Sequence, residues 1–357
     1  MKSAEKKNSF LLPLILLVLL CLILAGIVGY LVYLHSIDLP PEISKAIATP
    51  RVTDAPRHAP TESPVPAPTV TPIPAAEATK EPEWQFNNDS EQFWIEGAIR
   101  RTDQYRSPDL SVTVQTVVDN ETFGRRVMYY VADIYVRDVT QVLTASCRGD
   151  FSRNGSGSVE KTAKNVNALL AISGDYCGFH RDSLVIRNGI VYRQKMRTDM
   201  DVCLLLRDGT METYRGGTVT LREILSKDVW QAWQFGPALL NSEGDARTSF
   251  SSASIGGRNP RCCIGYVDPG HYKFVVVDGR QKASRGVTLT ELASLMESLG
   301  CRAAFNLDGG ASAHFFWKDQ IFNSPSKGGR NMSDIIYIEK ETYPDSLYFH
   351  GKGGTRQ

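Results

Sequence analysis

Leu184-Val185-Ile186-Arg187-Asn188-Gly189-Ile190-Val191-Tyr192 sets two apolar triplets on either side of Asn-Gly, the dipeptide that closes a two-residue hairpin because both of its residues tolerate positive φ. The stretch predicts an antiparallel pair. The same grammar recurs along the chain. Asp208-Gly209 separates Val202–Leu206 from Met211–Tyr214, and Pro269-Gly270 separates Cys262–Val267 from Tyr272–Val277. Leu110–Val118 and Arg126–Arg137 show the period-two or β-branched enrichment of strands. Helices are few. Thr288–Leu299 has a capping box in Thr288 and Glu291, one apolar face in Leu289, Leu292, Leu295, Met296 and Leu299, and a stop at Gly300. Ser158–Val166 and Leu221–Trp233 are further helix candidates. Strands with interspersed helices and many hairpins imply an α+β domain with a mixed, largely antiparallel sheet, over residues 84–340.

Ahead of that domain, Phe10–Leu34 is uncharged and rich in Leu, Ile and Val. At about 1.5 Å of rise per residue, it is longer than the roughly 30 Å of a bilayer's hydrocarbon core. Lys2, Lys6 and Lys7 precede it against Glu5 alone, and Asp38 and Glu42 follow it. The expected layout is a cytoplasmic tail (1–9), a transmembrane helix (10–34), a proline-rich stalk (35–83), the domain on the extracytoplasmic side of the cell membrane, and a tail over 341–357. A cleaved signal peptide is the rival, with Ala46-Ile47-Ala48 as its cleavage site, but that tripeptide lies far beyond an apolar core already too long for one.

A formal net charge of +1 and the absence of a Lys/Arg stripe argue against nucleic acid as a partner, so an anionic ligand must be met by a local arginine cluster. Of the seven cysteines, Cys21 falls in the apolar run; Cys147, Cys177, Cys203, Cys262, Cys263 and Cys301 follow it without Cys-x-x-Cys spacing. Up to three disulfides are open to these six, and Cys203 and Cys263 equally suit buried free thiols.

Polar residues gather at strand ends. Ser173-Gly174-Asp175-Tyr176 follows an apolar strand, and Asn306-Leu307-Asp308-Gly309-Gly310-Ala311-Ser312 follows another. Glycines beside a carboxylate let backbone approach a ligand closely, though an Asp-Gly turn capping its own backbone has the same appearance. Gly256-Gly257-Arg258 and Gly328-Gly329-Arg330 put arginines in glycine-rich loops, where a planar grip on phosphate or carboxylate is useful. Asp278-Gly279-Arg280 adds a further carboxylate at a strand end. His314 reads as an anion contact or a satisfied core histidine.

These segments resemble the phosphodiester glycosidase family, including the bacterial exopolysaccharide biosynthesis type. The likeness runs from about Tyr129 to Ile338, through Tyr130-Val131-Ala132-Asp133-Ile134-Tyr135-Val136, Gly174-Asp175-Tyr176, Phe235-Gly236-Pro237-Ala238-Leu239, Gly257-Arg258-Asn259-Pro260-Arg261, Val277-Asp278-Gly279-Arg280, Gly286-Val287-Thr288-Leu289 and Asn306-Leu307-Asp308-Gly309-Gly310. Ser173 stands where the family usually has Asn, and Ala311 replaces a frequent Gly. The resemblance implies hydrolysis of a sugar joined through its anomeric oxygen to a phosphodiester, in a cell-surface glycopolymer or a related molecule. It implies Asp308, Asp175 and Asp278 as catalytic carboxylates. Arg258 and Arg330 would hold the phosphate, and Asn306, Gly309, Gly310, Ser312, Ser173 and Gly174 would contact substrate. No cofactor is indicated. Two rivals stand beside this reading: a non-catalytic module that binds or assembles glycopolymer, and a phosphodiesterase holding Mg²⁺ or Ca²⁺ on Asp175, Asp278 and Asp308.

Overall fold

Asn188 (φ 51°) and Gly189 (φ 74°) close the expected hairpin between the antiparallel strands Val185–Arg187 and Ile190–Arg193. The structure is a computed structural model that describes residues 92–94, 98–152, 154–250, 256–341 and 348–349. The apolar run, the proline-rich segment and most of the tail over 341–357 lie outside the described residues. Among the described residues, no helix is long and apolar enough to cross a membrane.

The strands of the described residues form three sheets. The largest runs, in spatial order, Ala303–Asn306, Arg261–Asp268, His271–Val277, Val127–Val136, Leu110–Asp119, Gln104–Arg106, Ala98–Arg100 and Tyr348–Phe349. The second runs Met211–Tyr214, Asp201–Leu206, Val229–Phe235, Val185–Arg187, Ile190–Arg193. The third runs Gln320–Ile321, Phe315–Trp317, Ala168–Ser173, Asp334–Glu339, Val142–Ser146. Every strand pair is antiparallel except Ala98–Arg100 with Tyr348–Phe349. The α+β expectation thus holds, with its one sheet resolved into three.

All three sheets turn a face to a shared core in which Ile134, Phe274, Trp233, Leu205, Ile172 and Phe315 meet. Each also meets a short helix. Leu289–Ser298 lays Leu292 and Met296 on Val131, Val275 and Val277 of the first sheet. Leu221–Leu225 buries Ile224 against the second, and Val159–Asn165 buries Val159 and Ala163 against the third. Burial on both faces explains why Arg261–Asp268 and His271–Val277 read as nearly unbroken apolar runs and not as an in-out alternation.

One helix candidate is too long. Thr220 and Glu223 do form a capping box, but the helix ends at Leu225, and Val229–Phe235 is a strand paired along Asp201–Leu206. Trp230, Ala232 and Trp233 gain more burial between two sheet neighbours than on a helix face, and tertiary packing overrides local propensity. All six described cysteines are free thiols, five of them buried, and burial raises the thiol pKa of each.

The helix start at Thr288 is held twice. Its hydroxyl accepts from Glu291 N at 3.2 Å, and Glu291 accepts from Thr288 N at 2.8 Å while pairing with Arg125 at 2.6 Å. Thr288→Ala should lower unfolding free energy by about 1 kcal/mol, read in a urea titration. An unchanged midpoint would mean that Arg125 and Glu291 alone secure this end.

Candidate functional site

The strand Ala303–Asn306 ends in Leu307 and Asp308 and runs into a single 3-10 turn, Gly310–Ser312. Both glycines before the alanine are needed here. A Cβ on Gly309 would lie 2.7 Å from the Pro260 carbonyl oxygen, and Gly310 has φ 66°. Asp308 N donates to Gly174 O at 3.1 Å and Gly310 N to Pro260 O at 2.9 Å, so the turn is pinned between two other strand ends.

Arg330 arrives from the last loop, with its own N–H on Ala311 O at 3.0 Å. Its Nη2 donates to both oxygens of Asp308, at 3.1 and 2.9 Å, and its Nε donates to the Ser312 hydroxyl. The Arg330 side chain is 49% exposed against 8% for Asp308, so the pair is a buried carboxylate under a cation that faces solvent. Nη1 of Arg330 has no hydrogen bond to the described residues, and the guanidinium carbon lies 5.6 Å from the Tyr176 ring centre. Burial raises the Asp308 pKa above its usual value, and Arg330 pulls it back down.

The expected residues divide into two groups. Asp308, Arg330, Ser312, Gly309 and Gly310 come together at this mouth. Ser173, Gly174, Asn306, Asp278 and Asp175 are buried behind it. Ser173 is fully buried, donating to Ser312 O and accepting from His314 N at 3.3 Å. Gly174 lies so close to Asp334 that a Cβ would fall 2.3 Å from the carboxylate. Asn306 donates to Gly236 O at 2.9 Å and is 2% exposed. Asp278 takes Asn323 Nδ2 at 2.9 Å, the Tyr130 hydroxyl at 3.1 Å and Ser324 N at 3.2 Å. Those bonds tie the Arg330 loop to the strand His271–Val277, and burial raises the Asp278 pKa.

Asp175 belongs to a fully buried cluster. Arg187 pairs with Asp175 at 2.9 Å and with Asp334 at 3.0 Å, and all three side chains are 0% exposed. Asp175 also accepts from Cys177 N at 2.9 Å and Gln234 N at 3.3 Å. These contacts keep Asp175 and Asp278 buried and engaged by the protein itself, with Asp308 the carboxylate beside the half-exposed Arg330. Asp175, Cys177 and Asp334 bring ligand atoms within 4.8 Å of one another, but Arg187 already pairs with both carboxylates. Among the described residues, Asp175, Asp278 and Asp308 do not converge as a metal-ligand set.

Arg258 is exposed on its glycine loop, next to the Asn259 that holds Arg280, and makes no side-chain hydrogen bond or ion pair among the described residues. The second cation there is Arg280, which sequence reasoning passed over. Asn259 Oδ1 accepts from its Nε at 3.0 Å and its Nη2 at 2.7 Å, and its guanidinium lies 3.2 Å from where a Gly310 Cβ would be. No local signal in Asp278-Gly279-Arg280 marked it; Arg280 adopts φ 59°, a left-handed conformation uncommon for a residue other than glycine. Arg280 also helps lower the pKa of Arg261 to about 10, after burial as the larger cause.

His314 is buried, and its Nδ1 lies 2.9 Å from Ser312 O. A carbonyl can only accept, so Nδ1 carries the proton and Nε2 keeps its lone pair. Burial lowers the His314 pKa, as does Arg330. A Cβ on Gly329 would lie 2.3 Å from Nε2, so the imidazole is packed against bare backbone.

Asp334 supplies a pH-dependent term. Burial pushes its pKa to about 7 from 3.8, against the pull of Arg187 and with the help of Asp175. A carboxyl whose folded pKa exceeds its unfolded value binds more protons folded, so its contribution is complete below about pH 4 and fades as pH climbs through about 7. Asp334→Asn should flatten that decline in denaturant titrations between pH 4 and 8. Parallel pH slopes for the variant and the wild type would show Asp334 ionised throughout.

Comparison with known proteins accords with this arrangement. The phosphodiester glycosidase family model matches residues 161–339, a span that holds both sides of the Asp308–Arg330 pair. The SPbeta prophage-derived uncharacterized protein YomE of Bacillus subtilis (strain 168) is 30% identical over 207 residues, which cover 57% of this chain and 32% of that protein. The chain therefore spans about a third of the length of this curated relative. The catalytic domain of zebrafish N-acetylglucosamine-1-phosphodiester alpha-N-acetylglucosaminidase, solved in a form auto-inhibited by its pro-peptide, superposes with a TM-score of 0.54 at 20% identity, covering 69% of this chain and 87% of that one. That likeness speaks for the fold alone. With half of its length matched by the family model, and Asp308 and the glycine turn inside the matched region, this chain belongs to the phosphodiester glycosidase family.

Proposed function

We propose that the domain hydrolyses a glycosyl-1-phosphodiester by breaking the bond between the anomeric carbon and its oxygen. The observation that carries the reading is the Asp308–Arg330 pair at the Gly309–Ser312 turn, with Arg280 on its other flank. A phosphodiester leaving group needs its charge met more than it needs a proton, and two arginines at the mouth supply that. Arg330 Nη1 and Arg280 Nη1 would grip the phosphate. Asp308 would orient water on the anomeric carbon, take its proton, and stabilise positive charge as the bond opens. The electrons of the broken bond go to the phosphate oxygen, and the products are a free sugar and a phosphomonoester.

Hydrolysis in H₂¹⁸O by the full-length chain tests this directly. Label in the sugar supports attack at carbon, whereas label in the phosphate makes the enzyme a phosphodiesterase. No turnover of a UDP-sugar or a glycosyl-1-phosphodiester would favour a non-catalytic glycopolymer-binding module. The apolar run at Phe10–Leu34, with its lysines on one side, supports a single-pass anchor that holds the domain outside the membrane, facing a cell-surface glycopolymer.

A further inference from the structure

A polar cavity of about 700 Å³ opens beyond the segment Gly236-Pro237-Ala238, and neither Asp308 nor the residues gathered around it are in its lining. The segment separates the two sites. Asn306, on the strand that leads to Asp308, holds Gly236 O at 2.9 Å and Pro237 O at 3.0 Å, and Ala238 lines the cavity. Three arginines border the cavity, Arg215, Arg247 and Arg302, and the one acidic residue in its lining is Glu212. Glu212 is already engaged by Lys227 at 2.9 Å and the Tyr214 hydroxyl at 2.6 Å. The wall is therefore cationic with no free counter-charge of its own.

The arginines differ in how they are held. Arg247 is fixed: Nη1 donates to Ala238 O at 2.6 Å and reaches Asp201 at 3.4 Å, and the guanidinium packs 5.0 Å from the Phe250 ring centre. Its Nε and Nη2 have no hydrogen bond to the described residues. Arg302 sits at the rim, 68% exposed and paired with Asp268 at 2.8 Å. Arg215 is exposed, and its guanidinium makes no ion pair among the described residues. A fixed cation in the wall with two adaptable ones at the rim is a grip for an anion. Tyr214, Leu240 and Ala238 add an apolar floor beside the hydroxyls of Thr213 and Ser242, a mixture that suits a sugar ring better than a bare ion. The volume lies within the roughly 300–1,000 Å³ typical of small-molecule sites.

We propose that this cavity is a separate binding site for an anionic sugar unit, one bearing a phosphate, which would hold a neighbouring segment of a charged glycan while the mouth around Asp308 works. Binding here needs no hydrolysis, so the proposal and the catalytic reading fail independently. The probe is glucose 1-phosphate, with glucose as the neutral control, titrated calorimetrically into the full-length chain. Two binding events are expected in the wild type, and one in a chain with Arg280→Ala and Arg330→Ala. Adding Arg215→Ala to either chain should weaken the cavity event by about 10- to 150-fold, the equivalent of the charged hydrogen bond lost. The Arg215 side chain has no hydrogen bond or ion pair among the described residues to lose, and the bonds its carbonyl accepts from Thr218 survive the substitution, so the variant should fold and melt as its parent does. Three results would overturn the proposal: no event in the Arg280/Arg330 double variant, affinity indifferent to Arg215→Ala, or glucose binding as tightly as glucose 1-phosphate.

Discussion

Asp308→Asn should reduce kcat on a glycosyl-1-phosphodiester by about three orders of magnitude, within the roughly 10²–10⁴ that a positioned proton acceptor contributes. Asparagine keeps the shape and a hydrogen bond to Arg330 but cannot take a proton from water or face an oxocarbenium-like centre with charge. Stability should barely move. Burial already raises the Asp308 pKa, so its charge is held at a cost, and its partner is half exposed, where an ion pair contributes up to about 1 kcal/mol. The informative result is a variant with unaltered melting and lost turnover; substantial residual activity would remove Asp308 from the mechanism. The same raised pKa puts the acid limb of kcat/KM above the ordinary Asp value of 3.8, and Asp308→Asn should erase that limb from whatever activity remains.

Arg187→Leu is the largest expected loss of stability, about 3–5 kcal/mol, because it leaves Asp175 and Asp334 without their cation at 0% exposure. Arg187 also donates to the carbonyls of Ala232 and Ile186 within its own sheet, and its pair with Asp334 ties that second sheet to the third, so both are lost along with the charge. Burial alone would lower the Arg187 pKa, and Asp175 and Asp334 more than reverse this; the guanidinium stays charged. Adding Asp334→Asn should restore part of the loss by removing one stranded carboxylate. Urea titrations of wild type, both single variants and the double variant close the cycle. A loss under 1 kcal/mol for Arg187→Leu would mean that water or protonation relieves the cluster.

The glycines divide along the same line as the carboxylates. Gly189 and Gly209 were legible as hairpin turns because a positive φ between two apolar runs is a local event. The need for glycine at Gly174 and Gly309 was not legible in detail, since the obstructing atoms belong to Asp334 and Pro260, far away in the chain. Asp175 illustrates the limit well. A carboxylate after a strand and a glycine has the same local appearance whether it faces substrate or is buried under Arg187, and only the fold distinguishes the two.

Local signals carried the hairpins, the capped helix at Thr288, the α+β class and the candidacy of Asp308 and Arg330, because turn chemistry, capping and strand period depend on residues a few positions apart. The tertiary structure decided how one expected sheet became three around a common core, why Val229–Phe235 is a strand, and which arginines stand beside Asp308. It brought in Arg280 and set Asp175 behind the wall. Those outcomes depend on pairing and burial between segments distant in the chain, and such contacts leave no periodic mark in the residues that make them.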